Sequence, residues 1–505
     1  MVSFRFMESK VLNERAAGIL LAVSSLPSPY GIGSFGQAAR DWLGFLKAAG
    51  QKYWQILPLG PTGWGDSPYQ SFSAFAISSY YVDLDGLAEL GLLAKEELEA
   101  ANRGQRAGRV DYAALYRRRG PLLRLACGRF RAKGGSAGFE SFRGENAFWL
   151  DDYALFMAIK KRHKGRPWHE WEEGPKLREK PALRLAGSEL ADDVYYYAFV
   201  QYIAHEQWRE LRLCAAGLGV AIIGDMPIYV AGDSCDVWAN PELFQLDEKL
   251  RPLRVAGCPP DPFSASGQLW GNPLYRWDRI EETGFEWWIR RLRSGFGLYD
   301  VMRIDHFRGL ESYFSIDARA ENAMGGEWVK GPGLAFVEAV NRGLPGAAII
   351  AEDLGYLTPE VRALLEASGY PGMKVLQFAF DSREPGDYVP YTYGRNCVVY
   401  TGTHDNPTTL GWFRSAPRPD AAFALEFLGA RGEREGVRSL VRCALSSVAN
   451  TAVIPMQDHL CLDNRARMNV PSTLGGGNWS WRMPAKAAGP GLAEKIRALT
   501  VLYGR

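Results

Sequence analysis

Eight short apolar runs, typical of β-strands, recur along the chain, and each ends in a polar or glycine-containing segment. Parallel strands that are buried on both faces have continuous apolar runs of this kind, whereas half-exposed strands alternate. Helical segments separate many of the runs; in 358–368, Thr358 is placed to cap a helix and Pro359 to begin it. Eight strand–helix units predict an α/β fold, a (β/α)8 TIM barrel. The predicted strands lie within 18–23, 53–59, 220–230, 299–305, 346–355, 373–380, 397–406 and 451–458.

The spacing between these runs is uneven. Some 160 residues separate the second predicted strand from the third, and about 70 separate the third from the fourth. The first of these intervals is rich in Arg- and Lys-bearing amphipathic pieces, which favour helices. We therefore expect a single catalytic barrel over 1–505, with largely helical insertions on its C-terminal loop face that form subdomains at approximately 85–190 and 231–298.

The composition and net charge of the chain limit the classes of function that it can have. The 505 residues are 47% hydrophobic and 23% charged, which is ordinary for a soluble globular protein. A net charge of +2 argues against a dedicated nucleic-acid binder, and the basic run 117–133 fits a solvated helix face better than a nucleic-acid patch. No segment approaches the roughly 20 apolar residues of a membrane helix. We expect no nucleic-acid or membrane partner, and a monomer or small homo-oligomer.

The cysteines and the start of the chain bear on location. Seven scattered cysteines without a CxxC pair favour reduced thiols over disulfides or a zinc site. The basic residues before the apolar run 16–23 imitate a signal peptide, but Glu8 and Glu14 interrupt them and the run is short. These features predict a cytoplasmic protein, with a plastid as the alternative.

Acidic residues follow four of the eight predicted strands. Asp225 ends the third, Asp305 the fourth, Glu352 and Asp353 the fifth, and the triplet 404–406 (His-Asp-Asn) the seventh. A single acid at a strand end is usually a cap or a salt bridge, but acids at four strand ends of one barrel converge on one pocket. Paired carboxylates suit glycoside chemistry, in which one attacks or stabilises while the other donates and then removes a proton.

Other motifs are weaker. The sequences HEWEE at His169 and HEQWR at His205 lack the second histidine of an HExxH zinc site. The glycines of 31–36 fit GxGxxG, but prolines precede them and the next strand ends without an acid, so a barrel loop is favoured over a dinucleotide site. No GxSxG nucleophile elbow is present. We expect no metal and no cofactor.

Longer motifs make the chain resemble the 4-α-glucanotransferases called amylomaltases or disproportionating enzymes, glycoside hydrolase family 77 in the α-amylase clan. The resemblance extends nearly from end to end, and the segment 257–275 is its most specific part. The matching motifs are SSLPSPYGIGSFG, GDSPYQSFSAFA, IGDMPIYV, GCPPDPFSASGQLWGNPLY, RIDHFRG, AEDLG, THDNPTT, PMQD and GGNWSWR.

The resemblance implies transfer of α-1,4-glucan segments between maltooligosaccharide or starch chains by a retaining double displacement. By motif, Asp305 corresponds to the nucleophile, Glu352 to the general acid/base and Asp405 to the transition-state stabiliser. We expect Arg303 to lower the pKa of Asp305 by charge pairing and partial burial to raise the pKa of Glu352. A retaining outcome predicts that the carboxyl groups of Asp305 and Glu352 lie about 5–5.5 Å apart.

The resemblance also implies a substrate-binding set, in which aromatic faces cover sugar rings and polar groups bind hydroxyls. Trp64 stands where many relatives carry Tyr in a secondary glucan site, which leaves the function of that site open. For Arg308 we expect a structural pairing behind the active site. The predicted substrate-binding residues are Tyr69, Asp225, Asp261, Gln268, Trp270, Arg303, His306, His404 and Asn406.

Two alternatives remain open at this point. One is an α-glucan hydrolase of the same clan, which shares the covalent intermediate and differs only in the molecule that intercepts it. The other is a glucan-binding protein without activity, against which the intact set of carboxylates argues.

Overall fold

The computed structural model describes residues 11–63, 65–102, 107–260, 264–355, 357–383 and 386–505. Strands and helices are numbered below in chain order within these ranges. The strands are β1 Ala16–Leu20, β2 Tyr53–Gln55, β3 Ala221–Pro227, β4 Arg254–Cys258, β5 Gln268–Pro273, β6 Val301–Asp305, β7 Ser312–Asp317, β8 Glu327–Lys330, β9 Ile349–Ala351, β10 Gly372–Val375, β11 Cys397–Tyr400 and β12 Thr451–Pro455.

The helices are α1 Gln37–Ala48, α2 Leu84–Glu89, α3 Lys95–Asn102, α4 Tyr112–Ala132, α5 Ala137–Arg162, α6 Glu173–Lys176, α7 Lys180–Glu189, α8 Ala191–Leu218, α9 Cys235–Ala239, α10 Trp277–Glu282, α11 Glu286–Leu298, α12 Gly333–Gly343, α13 Pro359–Ser368, α14 Thr409–Ser415, α15 Arg418–Phe427, α16 Glu433–Ser446, α17 Met456–His459 and α18 Pro490–Leu502.

Eight parallel strands form a barrel in the order β10-β11-β12-β1-β2-β3-β6-β9. The remaining gap, between β9 and the approach to β10, is bridged by a hydrogen bond from Ala351 N to Pro371 O at 3.0 Å. The strand residues are almost all buried, which explains their continuous apolar runs. The predicted (β/α)8 barrel is confirmed, and each of the eight predicted runs overlaps a barrel strand.

A second sheet, antiparallel in the order β5-β4-β7-β8, was not predicted. Two of its strands come from the chain between β3 and β6, and the other two from the chain between β6 and β9. Its strands are short, and β5 alternates between partly exposed and exposed residues before its buried end. The strands therefore lack the continuous apolar signal of the barrel strands, and their pairing joins segments that are distant in sequence.

The long interval between β2 and β3 holds α2 to α8, among which α5 and α8 pack side by side. The basic run lies on α4, where Arg124 and Arg131 pair with Asp193 and Asp192 at 2.6 Å. This pairing supports the interpretation of the run as a helix face. The division into subdomains at approximately 85–190 and 231–298 stays a prediction.

The helix predicted over 358–368 is α13. The hydroxyl of Thr358 accepts a hydrogen bond from Val361 N at 3.4 Å, and Gly369 ends the helix in a left-handed conformation with φ 71°. Among the helices of the described residues, none has the length and hydrophobicity needed to span a membrane.

Candidate active site

Asp305 ends β6, and its neighbour on the same face of the strand is Arg303. The Arg303 guanidinium is buried and donates through Nη1 to both carboxylate oxygens of Asp225, at 2.6 and 2.7 Å. Its Nη2 lies 2.9 Å from Asp305 Oδ1. The register of β3 and β6, which places Asp225 opposite Arg303, makes this possible. One guanidinium thus connects two of the predicted strand-end acids.

The pKa of Asp305 differs from the expectation. Burial raises it, Arg303 lowers it, and the net result is a pKa raised to about 6. Arg303 lowers the pKa as predicted, but the net shift is upward, because the loss of hydration outweighs the charge pairing. At neutral pH the carboxyl group is still mainly ionised. About 29% of its side chain is exposed, so a substrate in the cleft can reach it.

Glu352 follows β9 and is held by backbone amides. Its Oε2 accepts from His306 N at 2.6 Å and its Oε1 from Leu354 N at 2.8 Å. His306 has a left-handed backbone with φ 54°, directly after the last residue of β6. Burial raises the pKa of Glu352 to about 7, as predicted, and the nearby charge of Asp305 adds to the rise. Glu352 can thus carry a proton near neutral pH, as a general acid requires.

Asp405 lies on the segment between β11 and α14, and other side chains hold it in place. Asn469 Nδ2 donates to Asp405 Oδ1 at 2.6 Å, His404 Nε2 lies 3.3 Å from Oδ2, and Arg467 Nη2 donates to the Asp405 carbonyl at 2.5 Å. About 45% of the Asp405 side chain is exposed to the cleft. Asn469 and Arg467 were missed by the sequence reasoning, since they lie in a loop without a periodic pattern.

The pKa of Asp405 is shifted downward, whereas that of Glu352 is shifted upward. Burial raises the pKa of Asp405, but the charge of His404 and the hydrogen bond from Asn469 outweigh burial and bring the pKa down to about 2. For His404, burial lowers the pKa, but the carboxylate of Asp405 more than offsets this effect. The net shift of the His404 pKa is therefore upward. Asp405 is therefore a permanent anion at neutral pH.

Aromatic residues form a wall beside the acids. Tyr69 OH donates to Asp225 Oδ2 at 2.7 Å, and its ring stacks on His404 with a centroid distance of 5.2 Å and an angle of 15°. Trp479 lies against both rings, at 5.7 Å from Tyr69 and 5.9 Å from His404. The structure thus joins Tyr69, Asp225 and His404, three residues of the predicted set, by direct contacts.

The predicted acceptor-side residues Gln268 and Trp270 lie on β5. Trp270 Nε1 donates to Gln268 Oε1 at 3.1 Å, and the Trp270 ring meets His306 edge-on with centroids 4.9 Å apart. Burial lowers the pKa of His306 to about 3, so its ring is neutral. The predicted residues Asp261 and Trp64 lie outside the described residues.

The last two predicted residues have structural partners. Asn406 Oδ1 accepts from Thr403 N at 2.9 Å and from Thr403 Oγ1 at 2.8 Å, which closes the turn around Asp405. The guanidinium of Arg308 lies 3.8 Å over the Trp328 ring, and its Nη2 donates to Ser312 Oγ at 3.3 Å. Arg308 therefore binds to the antiparallel sheet.

His205, in the second of the two histidine motifs, has a partner within its own helix. Its Nδ1 lies 2.8 Å from the Gln201 carbonyl, one turn earlier in α8. In the part of the chain that the structure describes, no group of three or more His, Cys, Asp or Glu side chains is arranged to hold a metal ion.

A (β/α)8 barrel whose mouth holds an ionised acid, an acid with a pKa near 7 and a third, permanently ionised acid is typical of carbohydrate-active enzymes of the glycoside hydrolase type. The family model described as 4-alpha-glucanotransferase, glycoside hydrolase family 77, matches residues 21–487. The chain therefore belongs to the 4-alpha-glucanotransferase family.

Relatives match over nearly the whole length. The 4-alpha-glucanotransferase of Streptococcus pneumoniae is 48% identical over 497 residues, with 98% of each chain covered. That of Thermus thermophilus is 49% identical, with 96% of this chain and 98% of the relative covered. The chloroplastic/amyloplastic enzyme of Solanum tuberosum is 40% identical, with 98% and 87% covered.

A solved structure has the same fold throughout. Amylomaltase from Streptococcus agalactiae in complex with acarbose has a TM-score of 0.94 at 39% identity, covering 97% of this chain and 100% of that chain.

Proposed function

We propose that this 4-α-glucanotransferase moves α-1,4-glucan segments from one maltooligosaccharide or starch chain to another by a retaining double displacement. The observation that carries the proposal is the difference among three acids at the barrel mouth. Asp305 is ionised beside Arg303, Glu352 has a pKa raised to about 7, and Asp405 is a permanent anion. These are the protonation states of a nucleophile, a general acid and an electrostatic stabiliser.

In the first displacement, Asp305 attacks the anomeric carbon of the donor while Glu352 protonates the glycosidic oxygen. The bond to the leaving chain breaks, and that chain departs with a free 4-hydroxyl group. The donor segment remains as an ester on Asp305. Two backbone amides, of His306 and Leu354, fix the Glu352 carboxyl group while its proton is transferred.

In the second displacement, Glu352 is ionised and removes the proton from the 4-hydroxyl group of an acceptor glucan. The acceptor oxygen attacks the anomeric carbon, the ester to Asp305 breaks, and a new α-1,4 bond forms. Two inversions give overall retention, and the proton returns to Glu352. We expect the carboxyl groups of Asp305 and Glu352 to lie about 5–5.5 Å apart.

Asp405 and His404 act in both displacements. As the sugar ring flattens and the anomeric carbon becomes positive, hydroxyl groups bound by these residues form stronger hydrogen bonds. Gln268 and Trp270 form the part of the cleft that binds the acceptor glucan, and the Trp270 ring meets the His306 ring edge-on. A sugar held there intercepts the ester before water does.

Incubation with maltotriose, with the products separated by chain length, tests the proposal. Transfer yields glucose together with maltopentaose and longer chains, while the number of reducing ends stays constant. A steady rise in reducing ends without longer products would instead establish the hydrolase. The hydrolase is not favoured, because relatives that match 96–98% of the chain are 4-alpha-glucanotransferases.

A further inference from the structure

The PMQD motif has no role in the mechanism above, although its aspartate lies next to the active site. Asp458 belongs to α17, directly after the last barrel strand, and only 4% of the residue is exposed. A carboxylate in such a place is unfavourable unless donors replace the water that it loses. Its partners therefore indicate what it is for.

The three donors to Asp458 come from the two ends of one segment. Thr401 Oγ1 donates to Asp458 Oδ2 at 2.6 Å, at the point where β11 ends. Thr409, the first residue of α14, donates its amide to Oδ1 at 2.8 Å and its hydroxyl to Oδ2 at 2.7 Å. Between these two threonines lies the segment with His404, Asp405 and Asn406. One carboxylate thus closes the loop that carries the proposed stabiliser.

The loop also borders a small, partly open pocket. The pocket has a volume of about 20 Å³ and reaches the ends of β1 and β12; its lining includes Thr403, His404, Asn406 and Asp458. This volume is room for about one water molecule, so the loop is not closely packed on this side. Hydrogen bonds at the two ends of the loop therefore contribute to its position.

Gln457, the residue before Asp458, contacts the second segment that positions Asp405. Gln457 Nε2 donates to the Ala466 carbonyl at 3.3 Å. That carbonyl lies directly before Arg467, which, with Asn469, binds Asp405. The short helix α17 therefore contacts both segments that determine the position of Asp405.

We propose that Asp458 is a positioning residue that holds the 401–409 segment so that Asp405 and His404 face the reacting sugar. Asp458 itself does not touch the substrate. The inference rests on the proposed function, specifically on the role of Asp405 as stabiliser. It predicts that the loss of these hydrogen bonds lowers the rate of transfer more than the affinity for the donor.

Four variants of the full chain test this: Asp458→Ala, Asp458→Asn, Thr409→Val and Thr500→Val. The asparagine can accept from the Thr409 amide and donate its NH2 to the two hydroxyl oxygens, so it should restore most of the function. Thr500→Val is the matched control, because Thr500 is a buried threonine that accepts from Gln51 Nε2 at 2.9 Å and lies on α18, away from the active site.

For maltotriose disproportionation we expect kcat to fall about tenfold in Thr409→Val and more in Asp458→Ala, with KM within about twofold of the parent. Asp458→Asn and Thr500→Val should keep kcat near the parent value. A second measurement reports the geometry directly: NMR titration of His404, with its signal assigned from a His404→Gln variant. Because Asp405 raises the pKa of His404, that pKa should fall in Asp458→Ala and stay unchanged in Thr500→Val.

The outcomes separate this inference from the proposed function. If Asp405→Asn keeps parental transfer, the role of Asp405 fails and the inference fails with it. If Asp405→Asn is inactive while Thr409→Val keeps the parental kcat and His404 pKa, only the inference is overturned. If Asp458→Ala does not fold, Thr409→Val still tests the inference, because this variant keeps the Asp458 carboxylate and removes one of its hydrogen-bond donors.

Discussion

The two sides of the catalytic cleft are built differently. On one side, Asp305 is the last residue of β6 and Glu352 directly follows β9, and the amide of His306, the residue after Asp305, donates to Glu352. On the other side, Asp405 lies on a loop, and its position depends on Asn469, Arg467 and the supports of α17. The strand side raises the pKa of its acids by burial, whereas the loop side lowers the pKa of Asp405 through His404 and Asn469.

This difference follows from what each side must do. Proton transfer needs a carboxyl group whose pKa lies near the working pH, and burial at rigid strand ends provides it. Stabilisation of positive charge needs an anion that never takes up a proton, which a network of donors provides. The comparison predicts different consequences when each side is altered.

The largest effect is expected on the strand side. Asp305→Asn removes the nucleophile and leaves Arg303 without one of its two carboxylate partners, so kcat for maltotriose disproportionation should fall on the order of ten-thousandfold. Asp317→Asn is the control, since Asp317 pairs with Arg319 at the surface and should leave the rate unchanged. Parental activity of Asp305→Asn would remove the basis of the proposed mechanism.

Glu352→Gln should lower kcat about a thousandfold with maltotriose, because the leaving sugar needs a proton. A maltosyl fluoride donor needs no such proton, so it should restore formation of the glycosyl-enzyme in Glu352→Gln but not in Asp305→Asn. A burst of fluoride release measures this step. Equal failure of both variants with the fluoride would contradict the assignment of Glu352 as the acid.

On the loop side, Asn469→Ala removes a 2.6 Å hydrogen bond to Asp405. A hydrogen bond to a charged group contributes about 1.5–3 kcal/mol, so kcat should fall roughly ten- to a hundredfold. Asn322→Ala, at an exposed turn, is the control for loss of a side-chain amide. An unchanged kcat in Asn469→Ala would show that the loop side does not depend on this support.

The smallest effect is the pH dependence of kcat/KM for maltotriose. Below about pH 6, Asp305 gains a proton and the nucleophile is lost; above about pH 7, Glu352 loses its proton and the acid is lost. The profile should be bell-shaped, with a maximum between these values and a tenfold fall per pH unit beyond them. A profile that is flat from about pH 5 to pH 9 would contradict the pKa shifts on the strand side.

The same comparison explains what could be predicted. Buried parallel strands are recognisable by their continuous apolar runs. The sequence pattern alone therefore places the acids in or after their last residues, among them Asp225, Asp305 and Glu352, at one end of a barrel. The supports of Asp405 could not be found in this way. Asn469 and Arg467 belong to a loop, and the link from Asp458 to Thr401 joins residues 57 positions apart.

Resemblance and structure contributed different information about the antiparallel sheet. The motif over 257–275 implied an acceptor-side loop, but it did not show that Gln268 and Trp270 lie on a strand. That strand forms because β4 pairs with both β5 and β7, which come from different intervals between barrel strands. Pairing between such distant segments depends on the closed barrel that brings them together.

The sequence by itself determined the barrel, the order of its strands along the chain and the residue types at their ends, because hydrophobic periodicity and local spacing are properties of neighbouring residues. It also placed Arg303 and Asp305 on one face of a strand, since side chains alternate with a period of two. Only the tertiary structure decided the net pKa shift of Asp305 and the position of Asp405. The reason is physical: loss of hydration and contacts between distant segments exist only when the chain is folded.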